Sequence, residues 1–281
     1  MAKNNPYALK FNGNNSYIKT NNLLVQDKDF TINFWVKLNS VKNQCFFCTR
    51  TKLGYGVSIF ALTNNTIRID TGTSNNQWTT GYNIPVNKDT YITITKNSSN
   101  VSLYINGALH SSTSSVGNMS YMSNITTFGS SQVSGSDFGN WLDGLMDNIS
   151  IWNKALTQEE IQYYMNGRLD GNEEGLVGYW TLDEGEGNIA HDLTSNQNHG
   201  TIYNAEWTEG EVDLKTYLPQ PINNISYNTN QKSVGDIILI IWDESDGATR
   251  YELQYYVDNE WITVNNNITN TEYVYTFEQP N

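Results

Sequence analysis

The sequence predicts an all-β protein, a sandwich or barrel of short strands carrying one short helix. Three observations predict it. Apolar residues recur with period two, most clearly in 30–38, where Ile32, Phe34, Val36 and Leu38 share one face and Thr31, Asn33, Trp35 and Lys37 the other. Such stretches follow one another closely, separated by Asn- and Gly-rich turns. Charged residues are only 16% of the 281, so Asn, Ser, Thr and Gly fill the polar positions, which suits turns and solvated strand faces rather than long helices.

The first two strands are read at 8–13 and 16–20, turning through Asn12 to Asn15. After 30–38 come 45–50, 54–62 and 66–71. A hairpin follows at 91–96 and 101–104, turning at 97–100, and Asn106-Gly107 makes a second tight turn. Strands at 124–128 and 141–152 lead to the helix. Thr157 and Glu160 form a capping box there: the Thr157 hydroxyl accepts from the Glu160 amide while Glu160 reaches back. Ile161, Tyr164 and Met165 make its apolar face and Gly167 ends it. A strand at 175–182, a turn-rich stretch at 192–200 and a closing strand at 201–207 complete the first domain, 1–215. Composition shifts around 218–221, and a second β unit, 218–281, carries strands at 237–242, 251–257 and 261–264.

Hydrophobic content of 38% and aromatic content of 12% supply enough apolar surface for a packed core. The net charge of −13 repels phosphate backbones and anionic membranes, so nucleic acid and membrane insertion are excluded as expectations. The same charge favours cations, and Ca²⁺ is a plausible companion. Cys45 and Cys48 have no second pair to complete a zinc site. Strict alternation puts them on opposite faces, so they are expected to be ordinary reduced side chains. The N-terminal residues form no apolar leader, so no signal peptide is expected and the protein is read as soluble and made in the cytosol.

Several segments resemble laminin-G-like (concanavalin A-like) jelly-roll domains. They are ALKFNGNNSYI (8–18), FTINFWVKL (30–38), LYING (103–107), LDGLMDNISIWNKALTQEEI (142–161) and GLVGYWTLDEGEG (175–187), in the family's order, with 192–203 after them. The resemblance covers about 7–209 and implies a two-sheet antiparallel jelly-roll sandwich. It also implies a structural Ca²⁺ between the first turn and the 141–152 strand, held by Asp147 and oxygens of Asn12 and Gly13. The tail segment IIWDESDGATRYELQY (240–255) resembles a fibronectin type III (Ig-like) domain. That domain has seven strands and the chain stops after about five, so a continuation beyond Asn281, or strands from a partner, is expected.

Asp147 is also singled out by its own strand. On regular alternation it shares a face with Leu145, Ile149 and Ile151, which buries its carboxylate. A buried carboxylate needs a cation or backbone N–H donors. Both remain open.

Glucanases of this fold carry a Glu-x-Asp-x-x-Glu strand, and no such spacing occurs here. SDFGNW (136–141) only mimics a sialidase Asp box. Asp183, Glu184 and Glu186 lie in a Gly-rich turn, and His110, His191 and His199 have no triad partner at motif spacing. The chain is therefore read as non-catalytic. Its ligand-binding candidates are loop aromatics beside amides: Trp78 and Tyr82 in SNNQWTTGY (74–82), and Phe138 and Trp141 flanking Asn140. Trp and Tyr rings stack on the C–H faces of sugars, and amides bind sugar hydroxyls. The alternative is that these rings cap the core. The expected function is a glycan-binding adhesion module on a larger assembly such as a phage virion, where such modules are common and no leader is needed. Alternatives are a purely structural tail or capsid-surface protein and the binding module of a secreted bacterial protein.

Overall fold

Alternation in 30–38 produces the central strand of the molecule: Ile32, Phe34, Val36 and Leu38 are fully buried in the main core. The computed structural model describes residues 7–21, 28–49, 56–72, 76–98, 100–114, 117, 125–134, 137–165 and 169–209, and the backbone of five strands between 226 and 276. The chain divides into two compact units, Met1–Asp213 and Leu214–Asn281. Gly167 and 218–221 lie outside the described residues.

In the first unit the strands are β1 (Tyr7–Asn12), β2 (Tyr17–Thr20), β3 (Phe30–Leu38), β4 (Gln44–Cys48), β5 (Val57–Ala61), β6 (Thr66–Thr71), β7 (Gln77–Asn83), β8 (Thr90–Asn97) and β9 (Asn100–Ile105). They continue with β10 (Ala108–Thr113), β11 (Thr126–Phe128), β12 (Ser131–Ser134), β13 (Asp137–Gly139) and β14 (Asp143–Trp152). The helix α1 (Gln158–Tyr164) precedes β15 (Leu176–Trp180), β16 (Ile189–Ala190), β17 (Gly200–Tyr203) and β18 (Glu206–Glu209). In the second unit, β19 (Ser226–Tyr227), β20 (Ile237–Ile241) and β23 (Glu272–Thr276) form one antiparallel sheet, and β21 (Tyr251–Val257) pairs with β22 (Glu260–Ile268).

Two antiparallel sheets make the sandwich. The first runs β10-β9-β8-β3-β14-β1-β18, with β15 also on β14; the second runs β16-β17-β2-β11-β4-β5-β6-β7. Phe11, Phe34, Ile92, Leu103 and Met146 from the first meet Ile18, Phe46, Phe47, Ile59, Ile69 and Phe128 from the second in one buried cluster. Sandwich cores form in this way, from alternate residues of two facing sheets. The Asn106-Gly107 turn has both residues at positive φ, 49° and 77°, as a two-residue hairpin requires.

The outer face of the first sheet is also covered. Trp35, Tyr91, Trp152 and Tyr179 are buried but stand outside the inter-sheet cluster. The Trp35 Nε1–H donates to the Met165 carbonyl just past α1 at 3.3 Å, and the Trp152 and Tyr164 rings lie 4.7 Å apart. The capping box is present: Thr157 Oγ1 accepts from Glu160 N–H, and Glu160 Oε2 accepts from Thr157 N–H at 2.8 Å. A seven-residue helix needs this cap and this packing to persist.

Two β-bulges overturn strict alternation. In β4, Cys45 opposes Phe60 and Phe47 opposes Ile59, so one extra residue is inserted. Phe46 and Phe47 both enter the main core, while Cys45 and Cys48 come together with Phe60 on the outer face. The expectation of opposite faces therefore fails, although both side chains remain thiols. In β14, Asp147 opposes Trp35 and Ser150 opposes Asn33, so Asn148 and Ile149 share one partner position. Ile149 and Ile151 face the main core, whereas Asp147 stands on the outer face with Trp35 and Leu145.

Candidate functional site

The second sheet carries a row of aromatic rings. Ile18 and Ile202 point into the core, so alternation puts Tyr17 and Tyr203 on the outer face. Tyr17 and Tyr203 are direct partners in the β2–β17 ladder, and their rings stack with centroids 4.6 Å apart and planes 8° from parallel. The other side of Tyr17 stacks on Phe138 at 4.7 Å and 27°, and Trp141 sits 5.7 Å from Tyr17 and 6.5 Å from Phe138. The Tyr17–Tyr203 separation matches the spacing between strands, about 4.8 Å, because side chains stand up from the sheet, whereas Phe138 comes from β13 in the separate β12–β13 hairpin. Burial first, and then the neighbouring Tyr203, push the Tyr17 phenol above its ordinary value, so it stays a protonated donor.

Polar loops frame this row. Asn204 Nδ2 donates to the Asn15 carbonyl and Asn12 Nδ2 donates to the Asn204 carbonyl, each at 3.1 Å, which ties the chain after Tyr203 to the turn before Tyr17. Asn140, at a φ of 51°, is exposed between Phe138 and Trp141 and donates from Nδ2 to Ser131 Oγ at 2.8 Å. β16 pairs only with Gly200 and Thr201, so it stops short of Tyr203, which is 37% exposed. The row therefore begins at an accessible ring.

Phe138 and Trp141 are thus brought together, with Tyr17 and Tyr203 added. Trp78 and Tyr82 are not part of the group. They lie on the edge strand β7 rather than in a loop, and they pack against the main core while Gln77, Thr79, Gly81 and Asn83 face solvent. The Tyr82 ring meets His110 edge-on at 5.3 Å, and burial raises its phenol. Five strand spacings, about 24 Å, separate β7 from β2.

The three expected calcium ligands do not converge. Asn12 Oδ1 already accepts from Asn14 N–H, Asn15 N–H and the Ser16 hydroxyl at 2.9, 3.1 and 3.1 Å. The Gly13 carbonyl accepts from the Lys42 ammonium. Asn12 pairs with Asp143, not Asp147, and Asp147 lies four residues further along β14, about 14 Å away. Its Oδ1 accepts from the Asn148 N–H at 2.9 Å, inside the bulge. Burial and, after it, the Asp147 charge push the nearby Tyr179 phenol upward. The residues at the first turn therefore do not fit a calcium site with Asp147. Among the described residues no group of three or more His, Cys, Asp or Glu converges on a point.

Other carboxylates hold the backbone. Asp192 accepts from the amides of Tyr179, Thr194 and Asn198 and from the Thr194 hydroxyl, at 2.8 to 3.0 Å, which shapes the turn-rich 192–200 loop. Asp70 is fully buried and pairs with Arg68 at 2.9 Å, and the Arg68 guanidinium lies over Phe60. Glu184 Oε1 accepts from the His191 N–H at 2.7 Å.

Comparison with known proteins adds the family. No curated protein sequence is similar enough to count as a match. Among solved structures, a protein from Bacteroides ovatus ATCC 8483, provisionally named as carbohydrate-binding, is similar with a TM-score of 0.60 and 17% identity over 73% of this chain; the chain spans 60% of that protein's length. The heptameric SAP-like pentraxin of Limulus polyphemus is similar with a TM-score of 0.55 and 14% identity, covering 74% of this chain and 97% of the pentraxin. At these identities the likeness is one of fold. Residues 12–162, more than half of the chain, match the model of the concanavalin A-like lectin/glucanases superfamily, and the chain belongs to that family.

Proposed function

We propose that the first unit is a non-catalytic recognition module that receives a glycan on the Tyr203–Tyr17–Phe138 row, with Trp141 beside it. The observation that carries this reading is the row itself: Tyr203 and Tyr17 in register on the outer face of the second sheet, with Phe138 of the β12–β13 hairpin stacked on Tyr17, opening at Tyr203 and flanked by Asn140 and Asn204. A pyranose stacks its C–H face on an exposed ring, and neighbouring amides and phenols take its hydroxyls. The fold is shared with a protein named for carbohydrate binding, which supports the reading without naming a sugar.

A glycan array on the whole chain tests it. Binding is expected for the unmodified chain, to fall at least tenfold in Tyr203→Ala and Trp141→Ala, and to persist in Trp78→Ala, whose ring packs against the core. Binding that survives both Tyr203→Ala and Trp141→Ala would place the ligand elsewhere.

A further inference from the structure

Where the resemblance implies a metal ion, this chain has a lysine. The turn between β1 and β2 passes through Gly13 at a φ of 71°. Its N–H donates to the Leu142 carbonyl at 2.8 Å, which seats the turn against the start of β14. A Cβ on Gly13 would stand 2.8 Å from Asp143 Cβ and 2.9 Å from Lys42 Nζ. The turn, the Asp143 side chain and the Lys42 ammonium therefore meet at one place, and Lys42 donates to the Gly13 carbonyl.

The loop that carries Lys42 is strapped to Asp143. Asn39 N–H donates to the Asp143 carbonyl at 3.0 Å, and Asn39 Nδ2 donates to Asp143 Oδ1 at 3.2 Å. Ser40 Oγ donates to Asp143 Oδ2, and Gln44 Oε1 accepts from the Asp143 N–H at 2.9 Å. Gln44 Nε2 closes the loop on the Ser40 carbonyl at 3.0 Å. Each of these bonds holds Lys42 over the turn.

We propose that Lys42 is the built-in cation of this sandwich: its ammonium bridges the β1–β2 turn to the Asp143 region and leaves the fold independent of Ca²⁺. Ca²⁺ takes six to eight oxygen ligands in general. At this turn the Asn12 side-chain oxygen, the Gly13 carbonyl and both Asp143 oxygens already accept hydrogen bonds. A divalent ion would have to displace the ammonium and approach against its charge. An ammonium offers three donors and one fixed charge, which matches a carbonyl beside a hydrogen-bonded carboxylate.

Thermal melting of the whole chain tests this directly, with a chelator and with millimolar Ca²⁺, for the native sequence and for Lys42→Met and Lys42→Arg. The native sequence is expected to melt at the same temperature in both buffers. Lys42→Met is expected to melt about 3–6 °C lower, and Lys42→Arg to recover part of that loss. A melting temperature of the native sequence that rises with Ca²⁺ would overturn the proposal, as would a Lys42→Met chain that melts with the native one. Neither readout depends on the glycan reading.

Discussion

Tyr17 and Tyr203 face one another across β2 and β17 with ring centroids 4.6 Å apart and planes 8° from parallel. Tyr17 has rings on both sides, while Tyr203 has one neighbour and an accessible side. The two residues are expected to separate structure from recognition. Tyr17→Ala loses three ring contacts and is expected to cost about 1–3 kcal/mol in denaturant unfolding. Tyr203→Ala is expected to cost about 1 kcal/mol or less while abolishing glycan binding. Equal stability losses in the two variants would count against this division.

Asp147 is expected to act on stability through the bulge. Asp147→Ala leaves the partly buried Asn148 N–H without its acceptor, at a cost of about 1–3 kcal/mol. Asp147→Asn keeps an acceptor and is expected to lose less. Because the Asp147 charge helps hold the Tyr179 phenol up, Asp147→Asn is also expected to let that phenol ionise at lower pH, which phenolate absorbance would show.

The two thiols are expected to be inert in the native state. Burial first, then the hydrogen bond with Cys48 and the charges of Cys48 and Asp70, push the Cys45 thiol well up against the small opposing effect of the Phe47 carbonyl. A buried thiol that stays protonated is a poor nucleophile. A maleimide is expected to label Cys45 and Cys48 only after denaturation; rapid labelling of the folded chain would contradict the packing.

Alkaline pH is expected to destabilise the first unit. Burial, more than any neighbour, raises the phenols of Tyr91 and Tyr179, and the Cys45 thiol is raised as well. Groups raised in the folded state keep their protons there and release them on unfolding. Their stabilisation is thus complete below the unfolded values, about 8.5 for a thiol and about 10 for a phenol, and is lost as pH rises beyond them. Each group contributes a slope of about 1.4 kcal/mol per pH unit while only the unfolded form ionises. Urea unfolding across an alkaline pH series would show stability falling from about pH 9 upward; a flat profile would mean that these side chains are wet.

Much of the sandwich is legible where local pattern and global packing agree. The alternation of 30–38 assigns Ile32, Phe34, Val36 and Leu38 to the core, and Thr157 with Glu160 marks the helix start. Trp35, on the other face of the same strand, is buried too, because the chain beyond α1 covers it; alternation distinguishes faces but not what lies over them. The Tyr17 orientation can be read from Ile18 beside it, yet its partner stands 186 residues later, and no local signal announces the β2–β17 pairing. Trp78 and Tyr82 are misread because β7 is a polar edge strand whose exposed Asn, Gln, Thr and Gly look like loop. The Cys45–Cys48 and Asp147 orientations fail for one shared reason: a bulge adds a residue without leaving a composition signal.

The bulge at Asn148 works as a shift of reading frame within β14. Everything before it is read in one phase, with Met146 inward and Asp147 outward; everything after it is read in the other, with Ile149 and Ile151 inward and Ser150 and Trp152 outward. Asn148 itself, at a φ of 44°, takes part in the shift, and its side-chain oxygen accepts from the Tyr179 hydroxyl at 3.1 Å. Substituting Asn148 alters one link. Deleting it would set Ile149 directly after Asp147, and plain alternation would then keep Ile149 and Ile151 toward the main core and Ser150 and Trp152 outward, at the loss of the bulge and of the bond to Tyr179. The extra residue is a spare in the alternation: the two faces of the strand survive its loss, and only the local kink depends on it.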